Sequence, residues 1–420
     1  MQPVPNADDG PPASLNRHLD FLKLWSAQGV AEFGARITRE GLPIAAVLSL
    51  SAGPQALGLL SAVRSAAGLA VGLTLGGLVD RRPRRRLMIG MDLARAAVLA
   101  TVPVAALMGW LTLAQIFVVA AVVAAASALF AIASHAYLPG LIEKSQLTEG
   151  NARLSATESV AEVGGPALAG ALFQWLTAPA AIALNAVTYA ASAVLLGAIR
   201  KPEPTPEPEP PATLLSDLRT GAGAAWSEPR VRALLLMSAV MTLFGSFFAA
   251  TYVVFALQTL GLTPSLLGLT IAAGGAGALA GSVLAGSLSR ALGVGPAILL
   301  GFFGWGAANV LIPLAPADPV MGTAALVTAQ ILGDGLAVAA IVLAGSLRQS
   351  LVPQNLLGRV GATFHAAEGA AGIAGALAGG VLAAQIGLRG AMFVAVGGMA
   401  LAPLIGVLSP LRRVRVIGDR

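Results

Sequence analysis

A chain of 420 residues that is 56% hydrophobic and only 11% charged, with a mean hydropathy of +0.80, has too little charge to cover a water-facing surface. Its net charge of +6 gathers between long apolar runs, the pattern of membrane orientation and not of a nucleic-acid-binding face. The absence of cysteine excludes disulfides, thiolate metal sites and cysteine nucleophiles, and His18, His135 and His365 are too scattered to suggest a metal centre.

Residues 1–20 are polar and proline-rich, lack the short apolar core of a signal peptide, and are expected to form a cytoplasmic tail. Apolar segments then fall near 21–50, 56–79, 86–108, 113–138, 153–176 and 179–199. They resume near 231–259, 265–289, 295–315, 320–346, 357–385 and 389–409. Each is long enough to cross a bilayer core as a helix, which takes about 20 residues. The expected fold is an all-α membrane protein of twelve transmembrane helices in two pseudo-symmetric six-helix bundles, 21–199 and 231–409. A cytoplasmic linker (200–230) joins them and a cytoplasmic tail (410–420) follows. Within the linker, residues 201–211 alternate proline with glutamate and should be extended. Residues 213–226 place Leu214, Leu215 and Leu218 on one side, the pattern of a short helix lying on the membrane face.

Charge orients these spans. Connections between odd and even spans carry almost no Lys or Arg, with Arg389 the exception. Connections between even and odd spans carry many, among them Arg81 to Arg86 apart from Pro83, Lys144, Arg153, Arg200, Lys201, Arg290, Arg348 and Arg359. An even number of spans puts both termini on one side, and the basic residues make that side cytoplasmic. Arg greatly outnumbers Lys, which points to a GC-rich bacterial genome and hence to a bacterial cytoplasmic (inner) membrane.

The two halves repeat at an offset of 210 residues. Leu57-Gly58-Leu59 recurs as Leu267-Gly268-Leu269, and Leu147, Glu158, Gly165, Gly170 and Leu172 recur as Leu357, Glu368, Gly375, Gly380 and Leu382. One offset held across several helices points to parallel repeats with a site between them near the midplane, a transporter architecture.

The loop after span 2 reads Gly76-Gly77-Leu78-Val79-Asp80-Arg81-Arg82-Pro83-Arg84-Arg85. It resembles the loop signature of the major facilitator superfamily, departing at Pro83, where the general pattern has glycine. Residues 214–221 and 352–360 resemble that superfamily's drug, macrolide and siderophore efflux branch, which includes enterobactin exporter-like proteins. The resemblance implies two bundles rocking about a central cavity lined by spans 1, 4, 7 and 10. It also implies a gating latch of Gly76, Asp80, Arg81, Arg84 and Arg85, with Asp80 at the N-terminus of span 11, where the helix dipole favours a carboxylate. In span 5, Gly165-Pro166-Ala167-Leu168-Ala169-Gly170 resembles part of an antiporter motif with altered glycine spacing, which leans toward export.

Ionisable residues at span depth are costly, about 2.5–3.5 kcal/mol on insertion scales, so each calls for a reason. Span 1 holds Glu32, Arg36, Arg39 and Glu40, with Glu32, Arg36 and Glu40 on one face by i,i+4 spacing. That face is either a self-neutralising ladder or a cavity site for protons or substrate. Asp334, flanked by Gly333 and Gly335 in span 10, has no opposite charge near it in sequence, and its partner must come from another helix. Glu162 is a further cavity candidate. Asp92 and Arg95, at i,i+3 in span 3, are expected to pair structurally, and the repeat mates Glu158 and Glu368 to anchor basic loops. Arg64 has no partner by sequence.

No phosphate-binding loop with its lysine, nucleophile–base pair or metal cluster is found, so neither an enzyme nor an ATP-driven pump is indicated. The expectation is a proton-coupled exporter of a small amphiphilic organic compound, monomeric among membrane lipids, with the proton gradient as its energy source and no cofactor, nucleic-acid partner or metal. An importer, a proton-independent facilitator, a lipid flippase and a non-transporting receptor or assembly factor are the alternatives.

Overall fold

The computed structural model describes residues 15–75, 82–203 and 214–417. Among the described residues twelve long helices follow one another: α1 Leu19–Leu50, α2 Pro54–Thr74, α3 Arg84–Leu107, α4 Leu113–Leu141, α5 Leu147–Trp175 and α6 Ala178–Gly197. Then come α7 Pro229–Thr259, α8 Pro264–Leu292, α9 Val294–Leu314, α10 Pro319–Leu351, α11 Leu357–Ile386 and α12 Leu388–Val407. Ten of them are long and apolar enough to cross a membrane. The other two, α1 and α5, reach 32 and 29 residues and are set apart by their charges, which face each other across the α1–α5 contact.

Local chemistry places the ends. Proline opens α2, α7, α8 and α10, where its missing N–H leaves no bond unmade. The side chains of Thr112, Thr263 and Asp318 accept from backbone N–H groups at the starts of α4, α8 and α10. Two helices are interrupted. The turns at Val310 in α9 and Ala400 in α12 come just after Asn309 and Met399, the residues four before Pro313 and Pro403. A proline ring clashes with that carbonyl and donates nothing to it, so the ladder breaks there. Arg389, the exceptional basic residue away from the termini, donates to the carbonyls of Pro313 (3.0 Å) and Ala315 (2.8 Å), capping the end of α9.

Each half packs as a unit. In the first, α3 lies on α4 and α6, and α1 on α5 and α6; in the second, α8 and α9 lie on α10, and α11 and α12 on α7. The halves meet chiefly along two seams, α2 against α11 and α5 against α8, with a smaller contact of α2 on α7. These seams are repeat mates, because the 210-residue offset carries α2 onto α8 and α5 onto α11. At one seam a Cβ on Gly58 would lie 2.5 Å from the Ala376 carbonyl oxygen and 2.9 Å from the Gly380 Cα. At the other, a Cβ on Gly170 would lie 2.5 Å from the Pro264 oxygen and 2.9 Å from the Gly268 Cα. Only glycine permits backbones this close. Both crossings lie within two turns of the helix ends remote from the termini, so that face of the molecule is closed. The opposite face is open between the halves.

The linker is fastened to both halves. The Glu203 carboxylate accepts from the backbone N–H groups of Arg84 (2.6 Å) and Arg85 (3.0 Å), capping α3. Asp20 accepts from the N–H groups of Arg200 and Lys201. Beyond residue 213 a helix, Leu214–Ser227, packs on α11 through Gly221, against the Arg359 backbone, and through an Asp217–Arg359 ion pair of 2.8 Å. The two linker-side stretches singled out in the sequence, 214–221 and 352–360, are thus one contact. The side chains of Leu214 and Leu215 lie outside the described residues.

Candidate functional site

A cavity of about 840 Å³ opens between the halves on the face of the termini, walled by Ser65, Leu69 and Leu73 of α2 and by His365, Glu368 and Gly369 of α11. Through Thr242, Ser246, His365 and Glu368 it joins a second chamber of about 500 Å³ inside the second half. That chamber is mainly apolar, lined by Leu234, Met241, Phe302, Trp305, Ile341 and Phe364 from α7, α9, α10 and α11. Through Ser65 the cavity also meets a third, polar chamber of about 480 Å³, carrying Arg39, Glu40, Ser61 and Arg64. The lining therefore draws on α2, α9 and α11 as well as on spans 1, 4, 7 and 10, which the family resemblance singled out.

The charges of α1 are organised from another helix. Glu162 of α5 takes Arg36 Nη1 at 2.7 Å on one oxygen and Arg39 Nη2 at 2.9 Å on the other. Glu40 is bound by Arg39 Nε at 2.7 Å, and Glu32 stands 3.6 Å from Arg36. The i,i+4 ladder read from α1 alone holds at its Glu32–Arg36 rung. Its upper rung is replaced: Arg36 turns to Glu162, and Glu40 pairs with its neighbour Arg39. The reason is proximity. A Cβ on Gly165 would lie 2.5 Å from the Arg36 Cβ, so α5 presses onto α1 where Arg36 leaves the helix, one turn from Glu162. In the motif-like run Gly165-Pro166…Gly170, the first glycine thus seats Arg36, while Pro166 and Gly170 meet Gly268 across the seam.

Asp334 lies in α10 with its carboxylate against Gly274 of α8, and the Trp305 ring packs on its neighbour Gly333. Among the described residues no cation pairs with it. The opposite charge sought from the sequence is therefore not found, and the half-buried Asp334 lines none of the three chambers, whereas Trp305 lines the apolar one. Asp92 and Arg95 form a buried ion pair, with the guanidinium 4.5 Å from the Phe130 ring centroid and 4.2 Å from that of Tyr189. Glu158 has no ion pair among the described residues. Glu368 faces the cavity, 3.9 Å from His365 Nδ1, and holds no basic loop there. Of the latch residues, Gly76, Asp80 and Arg81 lie outside the described residues. Arg84 donates to the Ala136 carbonyl (3.1 Å) and Arg85 to that of Ile199 (2.5 Å), both within the first half.

Three groups escaped the sequence reading as site residues: Trp305, Ser61 and Ser65. Arg64 was noticed only as unpaired. A tryptophan among apolar residues carries no signal of its own, but Ser61, Arg64 and Ser65 share a helix face by their i, i+3, i+4 spacing, and that pattern was visible.

Comparison with known proteins follows the same lines. No curated protein sequence matches the chain. Its fold is similar to a bacterial homologue of the iron transporter ferroportin in an inward-facing state, at 18% identity, with a TM-score of 0.74, covering 94% of this chain and 99% of that one. It is also similar to the nucleoside transporter NupG (13%, TM-score 0.71, 93% and 98% covered). A third likeness is to the POT family transporter PepTSo (14%, TM-score 0.72, 93% and 97% covered). The Major Facilitator Superfamily profile matches residues 24–344, from the first turns of α1 into α10. With twelve helices in two repeat-related halves about a cavity open to one face, this multi-pass membrane protein belongs to the major facilitator superfamily of transporters.

Proposed function

We propose that the protein is a proton-coupled exporter of a small amphiphilic organic compound, a member of the superfamily's efflux branch. It would work as a monomer in a bacterial cytoplasmic membrane with both termini inside. In that orientation the described state is inward-facing: the glycine seams close the outer side, and the cavity receives substrate from the cytoplasm or the inner leaflet. One observation carries the reading. Trp305 walls the apolar chamber and at the same time packs on Gly333, beside Asp334, so one indole stands within reach of both the substrate's body and the proton's carboxylate.

The coupling follows from that geometry. An ionised Asp334 is a strong acceptor, and a hydrogen bond from the nearby Trp305 indole would hold the ring in place as a chamber wall. A proton on Asp334 weakens that bond and loosens the wall, so proton and substrate oppose each other's binding, as exchange requires. The Glu162–Arg36–Arg39–Glu40 cluster ties α1 to α5, so the first half moves as one body. The loop of Gly76, Asp80, Arg81, Arg84 and Arg85 would latch the cytoplasmic side when the halves rock to the outward-facing state.

The test is accumulation in inverted membrane vesicles driven by an imposed pH gradient, using three fluorescent amphiphiles: ethidium (cation), rhodamine B (zwitterion) and carboxyfluorescein (anion). Wild type should accumulate at least one against its gradient, and Asp334→Asn should accumulate none while keeping wild-type thermal stability. Uptake by Asp334→Asn equal to wild type, or no gradient-driven uptake of any probe by wild type, would remove the reading.

A further inference from the structure

The polar chamber contains a set of donors with nothing to donate to. Arg64 spends one of its five N–H groups, Nη1 on the Arg39 carbonyl at 3.2 Å, and no carboxylate stands within ion-pair distance of it among the described residues. The three nearby carboxylates are taken: Glu162 by Arg36 and Arg39, Glu40 by Arg39, and Glu32 by Arg36. The remaining donors of Arg64 are not sealed in protein, because the side chain is half-buried and walls two chambers at once. Beside it on the same face of α2, Ser61 and Ser65 make no hydrogen bond among the described residues, whereas Thr74 on α2 donates back to the carbonyl four residues before it. Two hydroxyls and a guanidinium thus converge on one space.

Charge favours the same occupant. The charged walls of the 480 Å³ chamber are Arg39, Arg64 and Glu40, and Glu40 is already held by Arg39. Those of the adjoining chamber of about 160 Å³ are Arg36, Arg39 and Arg64, without a carboxylate. A guanidinium kept half-buried without a counter-charge is disfavoured in the empty protein and is relieved when an anion arrives. Its planar fork suits a carboxylate or phosphate, taken in a bidentate manner.

We propose that Ser61, Arg64 and Ser65 form the head-group site for an anion, and that the transported compound is an amphiphile with a carboxylate or phosphate head and an apolar body. This rests on the transporter reading above and specifies its substrate class. The head lies at α2, in the first half, and the body reaches through the shared cavity to the chamber of Trp305 and Phe302, in the second. One molecule then spans both halves, so its binding bears on their relative position. Glu40 is the positioning residue: by occupying Arg39 it leaves Arg64 as the free cation of the polar chamber.

The experiment needs no transport. The purified protein in lipid nanodiscs is titrated with dodecanoate and with dodecylamine, matched in tail, and thermal unfolding is followed. A lipid source of the same head is represented by a lysophosphatidate arm. Dodecanoate or lysophosphatidate should raise the midpoint in a saturable way, and the larger effect names the source; dodecylamine should not. Arg64→Gln should weaken acid binding at least tenfold, and Arg64→Lys should restore part of it. Equal shifts for acid and amine, no shift with either acid, or undiminished acid binding by Arg64→Gln would each overturn the proposal. Without any ligand, Arg64→Gln should unfold no earlier than wild type, because it removes an uncompensated cation. A midpoint lowered as far as in Arg39→Gln would mean that Arg64 serves the fold alone. Failure here leaves gradient-driven uptake of the cationic or zwitterionic dye untouched, so this inference and the exporter reading fall separately.

Discussion

Adding one methyl group at either glycine seam should drive the halves apart on the closed face. In Gly58→Ala the new Cβ meets the Ala376 oxygen at 2.5 Å, and in Gly170→Ala it meets the Pro264 oxygen at 2.5 Å. Both obstacles are backbone atoms in helices, so no side-chain rotation relieves them. Overpacking of this kind costs about 1–3 kcal/mol. The strain exists only while the seam is closed, so it is subtracted from the closed-face state alone. An equilibrium between states biased by that amount moves about 5- to 150-fold. The chain has no native cysteine, which makes the measurement clean. Spin labels at Met108→Cys and Ala317→Cys report the closed face, and labels at Ser145→Cys and Gln354→Cys report the open one. Each alanine variant should lengthen the first distance and shorten the second, and the double variant Gly58→Ala/Gly170→Ala should do so further. A lowered thermal midpoint with both distance distributions unchanged would mean that the seams are static packing, and the reasoning would fail.

Two further predictions concern the frame. Asp92→Asn leaves the Arg95 guanidinium buried between Phe130 and Tyr189 without its counter-charge; this should destabilise the protein by about 3–5 kcal/mol, read as a lower thermal midpoint in detergent. Gly221→Leu places a side chain against the Arg359 backbone and should dislodge the linker helix from α11, read as faster proteolysis near residue 227. Asp217→Asn alone should leave cleavage near wild type, since an exposed ion pair contributes about 0.2–1 kcal/mol.

Much of the frame was legible because it is written in one dimension. Runs of apolar residues gave the helices, and the 210-residue offset gave the halves. The offset also joined Gly58 to Gly268 and Gly170 to Gly380, which prove to meet backbone to backbone at the two seams. The charge cluster was legible only in part. Helical spacing pairs residues on one helix, and so it read Arg36 with Glu40. The true hub, Glu162, lies on α5, and only the approach permitted by Gly165 brings it to Arg36. Asp334 raised the right question and met an unanticipated answer, because an opposite charge was sought and a tryptophan ring was found beside it. The apolar chamber could not be read at all. Its walls come from four helices whose composition is like that of their neighbours, and the space between them exists only once they pack.

The central claim is that protonation of Asp334 is linked to the rocking of the halves. It is tested most directly by the open-face label pair, Ser145→Cys and Gln354→Cys, followed from pH 5.5 to 8.5 in nanodiscs. Wild type should redistribute between a long and a short distance across that range, and Asp334→Asn should hold one distribution at every pH. The same titration in Asp334→Asn as in wild type would contradict the account.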